Sequence, residues 1–216
     1  MSLDQWFEGI YLLGQFNRLR TGCWLLVHGG EAAILEMPPR SVGEPSPAVV
    51  AQEAVAELSV SVKYLLCTHK HWDHFSRATF NDFRGAFPTA RAWLQRGFSQ
   101  GLGVSYFDDV HQLDLSGGPF FLVPAPKHSS TDTMVIFRGV VCTGDWELGT
   151  ISSVHDWTWF WGVPREQKLK SIERMERFPQ EYNYHIHSTF SVHANDKRVG
   201  IDFPGLMAST RVNKPK

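Results

Sequence analysis

Apolar residues recur along this 216-residue chain in short runs that are bounded by glycine, proline and polar residues, a pattern typical of β-strands. The runs predict eight strands, at residues 9–13, 24–28, 32–36, 62–67, 119–123, 134–137, 140–143 and 182–187. Gly29-Gly30 and Arg138-Gly139 each link two neighbouring runs, and such short links are typical of hairpin turns. The chain is therefore expected to be rich in β-structure.

Helical spacing of apolar residues predicts three helices, at residues 49–58, 78–83 and 164–178. The third is the clearest, because a proline opens it and Leu169, Ile172 and Met175 share one face. Pro179 is expected to end it. Strands in two groups with helices between them favour a layered α/β structure over an all-β barrel. A chain of this length is expected to form one domain, residues 1–216.

Composition restricts the class of protein. Hydrophobic residues make up 43% and charged residues 20% of the chain, which is usual for a protein with a full core. The net charge of −1 gives no reason to expect nucleic acid or an anionic membrane as a partner. Without a secretory signal or an apolar run of membrane-spanning length, the expected location is the cytoplasm. Cys23, Cys67 and Cys142 are then expected to be buried free thiols.

The densest group of metal-binding residue types follows the strand predicted at 62–67. It contains His69, His71, Asp73 and His74, and zinc and iron(II) prefer imidazole and carboxylate ligands in catalytic sites. His69 and His71 are two residues apart, so their side chains point the same way on an extended backbone. Asp73 and His74 follow where the chain turns and approach from a second direction. The motif therefore predicts a site for two adjacent metals.

Three further candidate ligands lie where other predicted strands end. His128 follows the strand at 119–123, Asp145 follows the strand at 140–143, and His187 ends the strand at 182–187. Loops at strand ends can converge while the sheet holds them rigid. Each of these residues alone is weak support for a metal site. The order in which all of them occur along the chain is stronger support.

This order of residues resembles that of the metallo-β-lactamase superfamily, and the likeness covers nearly the whole chain. The resemblance implies an αββα sandwich, in which two mixed β-sheets pack face to face with helices outside. It implies that one metal is held by His69, His71 and His128. It implies that a second is held by Asp73, His74 and His187, and that Asp145 bridges the two.

The resemblance also implies a hydrolase that uses two divalent metal ions, most simply zinc with iron or manganese as alternatives, and a hydroxide that bridges them. Asp73 and Asp145 are the expected catalytic carboxylates, and Asp73 is one candidate for protonating the leaving group. The expected partner is a small-molecule substrate: an ester, thioester, lactone or phosphodiester. Asp145 argues against the antibiotic-degrading branch, which in general lacks this residue.

Two other functions remain open. The first is a mononuclear iron oxygenase similar to the persulfide dioxygenases of this superfamily, with His71, His128 and Asp145 as the ligands. The second is a non-catalytic metal-binding module, against which the full set of ligand residues argues.

The last ligand position has competitors. His185 and His193 are alternatives to His187, which the family pattern favours. The three remaining histidines of interest, His28, His111 and His155, are expected to be surface or structural residues.

The chain departs from the family pattern after its third strand. Glu36 stands where members usually carry an aspartate that supports the site, and its longer side chain puts that support in doubt. The aromatic run at 157–161 could line an apolar pocket, form a homodimer contact or pack in the core. Trp72, inside the metal motif, is placed to form a wall of the cleft.

Overall fold

The computed structural model describes residues 3–98, 101–157 and 162–212. Most of the described chain lies in two β-sheets and four helices. The strands of the first sheet, in spatial order, are β1 (Asp4–Phe7), β2 (Ile10–Phe16), β3 (Thr21–His28), β4 (Glu31–Leu35), β5 (Ser61–Leu66), β6 (Arg91–Gln95) and β7 (Ser105–Phe107). The second sheet has the order β13-β12-β11-β10-β9-β8. Its strands are β8 (His111–Leu115), β9 (Gly118–Pro124), β10 (Thr133–Phe137), β11 (Val140–Cys142), β12 (Ser188–Phe190) and β13 (Lys197–Val199). The helices are α1 (Pro47–Leu58), α2 (Arg77–Ala86), α3 (Arg165–Glu181) and α4 (Phe203–Thr210).

Both sheets are mixed. In the first, β1 to β4 pair antiparallel and β4 to β7 pair parallel. In the second, only the pairing of β11 with β12 is parallel. Parallel neighbours need a crossover connection, usually a helix, and α1, α2 and α3 lie in such connections. The parallel pairing of β11 and β12 brings Asp145 and His193, which follow these two strands, to the same end of the sheet.

The alternation of side chains along the strands divides the core into three apolar layers. In β3, Trp24 and Leu26 belong to the layer between the two sheets, whereas Leu25 belongs to the layer beneath α1 and α2. In β9, Phe121 packs under α3 and α4, while Phe120 faces the first sheet. The order of layers is helix, sheet, sheet, helix, which confirms the predicted αββα sandwich.

Two predicted elements differ from the structure around α3. The helix continues through Pro179 to Glu181, because a proline in the last turn removes a single backbone donor and the turn is closed by Tyr182 N donating to Phe178 O at 3.0 Å. The strand predicted at 182–187 is therefore wrong: the chain turns there, and the strand is Ser188–Phe190.

The three cysteines are buried and unpaired, as predicted. Among the described residues, no helix is long and apolar enough to span a membrane. Most of the aromatic run, residues 158–161, lies outside the described residues, and the Trp157 side chain is 84% exposed.

Candidate metal centre

The candidate ligands lie on loops that leave the two sheets at one end of the sandwich. The metal motif follows β5 of the first sheet, and the backbone N–H of Thr133 donates to Thr68 O at 2.8 Å, which joins this loop to β10 of the second sheet. The loop after β11 also lies close to the metal motif. Gly144 has φ +57°, and a Cβ there would lie 3.0 Å from Thr68 Oγ1. Glycine at this position lets Asp145 come up to the motif.

Seven side chains form two neighbouring groups whose ligand atoms lie within 4.8 Å of one another in each group. The first group is His69, His71 and His128. The second is Asp73, His74, Asp145 and His193. Six of these residues are among the predicted ligands, and His193 takes the place of His187.

The Asp145 carboxylate lies between the groups. Its Oδ2 is 3.9 Å from His69 Nε2 and 3.6 Å from His128 Nε2, both of the first group. The same oxygen is 3.3 Å from His74 Nε2, and Oδ1 is 3.1 Å from His193 Nε2. A carboxylate can bind one cation through each oxygen, so Asp145 is in position to serve two ions.

The donor atoms fit divalent cations such as zinc. His71 Nδ1 and His128 Nε2 are 3.0 Å apart, close to the roughly 3.3 Å that separates two imidazole nitrogens on one tetrahedral zinc with bonds of about 2.0–2.1 Å. His69 Nε2 is buried without a hydrogen-bond partner among the described residues. A buried polar atom of this kind is costly unless a ligand satisfies it.

The ring nitrogens that face away from the centre are held by neighbouring side chains. Thr68 Oγ1 lies 3.0 Å from His69 Nδ1, and Glu36 Oε2 lies 3.2 Å from His74 Nδ1. These contacts leave Nε2 of both rings towards the centre, the arrangement that orients metal-binding histidines. Glu36 is fully buried, with φ +77°, and its other oxygen accepts from Thr68 N at 2.9 Å. The longer side chain thus makes the contact that was in doubt.

A buried carboxylate fixes the loop that carries His128. Asp132 Oδ2 accepts from the backbone N–H groups of Lys127, His128 and Ser129 at 2.9, 2.6 and 2.9 Å. Burial raises the pKa of Asp132 to about 6. This turn holds the His128 side chain against the motif.

Burial and mutual contact set the charges of the centre. Burial lowers the pKa of His69 well below its ordinary value, and lowers the pKa of His71 to about 4 and that of His128 to about 3. These imidazoles are therefore neutral near pH 7, the form that binds metal. Burial acts to raise the pKa of Asp145, but contacts with His193 and His74 outweigh it and hold that pKa far below its usual range.

No family model and no curated protein matches the sequence. Solved structures do match the fold. A metallo-β-lactamase family protein from Thermus thermophilus superposes with a TM-score of 0.63 at 17% identity, over 96% of this chain and 79% of that one. ETHE1 from Myxococcus xanthus gives 0.63 at 16% identity, over 92% and 78%. The FEZ-1 metallo-β-lactamase from Legionella gormanii gives 0.62 at 14% identity, over 93% and 88%.

The chain has the metallo-β-lactamase fold. Identities this low show the fold alone.

Within this metallo-β-lactamase fold, His187 lies away from the ligand groups. Its ring packs against Gly139, where a Cβ would be 2.6 Å from His187 Cδ2, and its Nδ1 lies 2.9 Å from Ser188 Oγ. It lines a separate cavity of about 380 Å³ together with Arg138 and Glu8. His185 is its neighbour, with ring centroids 5.9 Å apart.

The register of β12 explains why His187 lies away from the ligand groups. This strand runs parallel to β11, and Cys142 pairs with Phe190. Residues that follow the two strands, Asp145 and His193, therefore lie at the same end of the sheet, whereas His187 precedes β12 and lies at the other end. The structure thus places His193, and not the predicted His187, beside the other candidate ligands. The signal in the sequence was the apolar alternation of Phe190 and Val192 just before His193.

A cavity of about 440 Å³ opens beside the centre. It is lined by Leu19, His71, Trp72, Asp73, His128, Asp145 and His155. The His155 ring centroid lies 5.0 Å from that of His71 and 4.5 Å from that of His128, so this residue belongs to the wall of the site rather than to a remote surface. Sequence reasoning missed it because no strand precedes it.

Two lysines hold the segment that carries His155. Lys127 is fully buried, and its Nζ donates to the carbonyl oxygens of Glu147 and Ser152 at 3.0 and 2.9 Å. Burial lowers the pKa of Lys127 to about 8. Lys168 on α3 forms an ion pair with Asp156. Both contacts fix the outer wall of the cavity.

Proposed function

We propose that this protein is a metal-dependent hydrolase with two divalent cations, most simply zinc, that acts on a small ester, thioester, lactone or phosphodiester. The observation that carries the proposal is the Asp145 carboxylate, which lies within 4 Å of histidines from both ligand groups. A carboxylate between two sets of buried imidazoles is an arrangement suited to a pair of cations.

The first cation would be held by His69, His71 and His128. The second would be held by Asp73, His74 and His193, with Asp145 shared between the two. Divalent cations bound there lower the pKa of a water molecule towards neutrality and polarise a carbonyl or phosphoryl oxygen.

Residues around the ligands would preserve this arrangement during turnover. Thr68 and Glu36 keep Nε2 of His69 and His74 directed to the centre. Asp73 lines the cavity and is a candidate for protonating the leaving group. Contact with His74 outweighs burial and lowers the pKa of Asp73, so the carboxylate is ionised near pH 7, the form that binds a cation.

Elemental analysis of protein purified without added metal tests this proposal together with a substrate panel. About two equivalents of zinc per chain, and turnover of a small ester, thioester, lactone or phosphodiester that a chelator abolishes, are the expected results. About one equivalent of iron with oxygen consumption on sulfur compounds would instead favour the oxygenase, with His71, His128 and Asp145 as ligands. Full metal content without turnover of any panel member would favour a non-catalytic metal-binding module.

A further inference from the structure

The cavity beside the metal centre has an apolar wall. Leu19 and Trp72 line it, and their side chains are 52% and 65% exposed. Large apolar side chains that remain exposed at a site mark a surface that binds an apolar group. The opposite part of the lining is the polar set formed by the ligands and His155.

The structure holds Leu19 at this cavity. It lies in the loop between β2 and β3, where Asn17 has φ +59° and is buried. Asn17 Nδ2 donates to Asp73 O at 3.1 Å, and Leu19 N donates to Asn17 Oδ1 at 2.8 Å. The loop is thus tied to the metal motif itself. Trp72 lies between His71 and Asp73 in that motif, so the backbone that carries both apolar side chains is tied to the ligands.

The described lining contains no lysine or arginine. The two lysines closest to the ligands in sequence are engaged elsewhere: Lys127 donates to two backbone carbonyls, and Lys70 Nζ donates to Gly97 O at 3.3 Å. Asp73 and Asp145 bring negative charge, which two divalent cations at the centre would offset. Apart from bound cations, the described cavity offers no partner for an anionic group, which proteins usually bind with arginine or lysine.

We propose that the substrate is an uncharged acyl compound, an ester, thioester or lactone, whose apolar acyl group packs against Leu19 and Trp72. The proposal rests on the proposed hydrolase function and narrows it to substrates whose far end is apolar and uncharged, because that end would meet Leu19 and Trp72 and no described lysine or arginine. In the reaction, water adds its oxygen to the acyl carbon and the bond from that carbon to the leaving oxygen or sulfur breaks. The leaving group takes one proton, and the acid that forms releases another to solvent.

A chain-length series of p-nitrophenyl esters, from acetate to octanoate, tests the apolar wall. The expected kcat/KM rises roughly twofold for each added methylene, because each methylene that leaves water contributes to binding. An ester of matched length with a carboxylate at the far end of its chain should react about tenfold more slowly or worse. Bis(p-nitrophenyl) phosphate should react more slowly than octanoate. A flat series, or a phosphodiester that outpaces every ester, would overturn the proposal.

Substitutions of Trp72 and Leu19 test whether these two residues cause the dependence of kcat/KM on chain length. Trp72→Ala and Leu19→Ser should each flatten the chain-length series, reducing the octanoate-to-acetate ratio by about fivefold or more, at unchanged metal content. Val199→Ser is the matched control. Val199 is 68% exposed on β13, where it pairs with Ser188 at the opposite end of the sheet, and its loss should leave the ratio unchanged. An equal effect in all three variants would contradict a specific wall.

Calorimetric binding of methyl ketones separates this inference from the hydrolase proposal. These neutral compounds resemble the esters but cannot be hydrolysed. Affinity that increases with chain length and falls in Trp72→Ala supports the apolar wall, even if no ester turns over, in which case the hydrolase proposal alone fails. Turnover of esters combined with ketone binding that ignores chain length would overturn the apolar wall alone.

Discussion

Asp145 lies against histidines of both ligand groups: Oδ2 is 3.3 Å from His74 Nε2 and 3.6 Å from His128 Nε2, and Oδ1 is 3.1 Å from His193 Nε2. Removing this carboxylate should therefore disturb both cation sites at once. Asp145→Ala is expected to lower metal content below two equivalents per chain and kcat/KM by more than about 100-fold. Elemental analysis and the ester assay measure both quantities. Unchanged metal content and turnover would rule out the bridging role.

His193 and His187 form a matched pair of substitutions for the last ligand. His193→Ala should lose about one metal equivalent, because its Nε2 lies in the second group. His187→Ala should retain both, since its ring contacts Gly139 and Ser188 instead. Metal content of the two variants, with circular dichroism to verify folding, decides between them. The reverse result would restore His187 as the ligand.

Glu36 supports His74 from outside the ligand set. In Glu36→Gln the amide oxygen can still accept from Thr68 N, but the amide N–H₂ then faces the N–H group of His74 Nδ1. Two donors that face each other cannot form a hydrogen bond. The expected result is metal affinity about 10–100-fold weaker in the second site, as for other groups that orient metal ligands. Competition with a chromophoric chelator measures it. Glu31→Gln is the control, because Glu31 pairs with Lys63 away from the centre.

A site residue could be predicted from the sequence when its position depends only on its close neighbours along the chain. His69, His71, Asp73 and His74 lie within six consecutive residues that follow one strand, so local reasoning was sufficient. His193 was named only as an alternative to His187, because its position depends on where β12 begins and on the parallel register of β12 with β11. The predicted strand lay a few residues too early in the chain, so the favoured ligand, His187, was a residue at the opposite end of the sheet.

Edge position explains most of the strands that the apolar pattern did not predict; β6, an internal strand with only two buried residues, was not predicted either. Central strands such as β3 and β10 are buried along most or all of their length, and their apolar runs were recognised. The edges of the two sheets are β1, β7, β8 and β13, and none of them was predicted. Edge strands have one neighbour and expose many side chains, as β13 does with its two exposed residues. Their composition therefore resembles that of loops.

The turn after β9 depends on one buried carboxylate. Asp132→Ala would leave the backbone N–H groups of Lys127, His128 and Ser129 without their acceptor. Since an unsatisfied buried donor costs about 1–3 kcal/mol, the free energy of unfolding should fall by about 3 kcal/mol or more. Urea unfolding of the metal-free protein measures this without the contribution of bound cations. Asp132→Asn keeps one acceptor oxygen and should lose clearly less, so equal losses would contradict the role of the turn.

At the scale of the whole molecule, the core and the metal centre are separate sources of stability. Three apolar layers hold the helices and sheets together. The ligands are instead gathered at one end of the sandwich, where loops from both sheets meet. The fold should therefore form without metal, while the arrangement of the loops should depend on it.

Removing the cations is thus expected to destabilise the protein without unfolding it. A cation present at a thousandfold its Kd stabilises the folded state by about 4 kcal/mol, and 1 kcal/mol changes the Tm of a domain of this size by about 2–4 °C. Chelation should then lower Tm by roughly 10 °C for each ion lost, with little change in the far-ultraviolet circular dichroism. The same treatment should shift Asp145→Ala far less, because that variant has already lost metal. An equal Tm with and without chelator in the unaltered protein would show that these residues bind no stabilising cation, because stabilisation by mass action is unavoidable for any ion that binds the folded state alone.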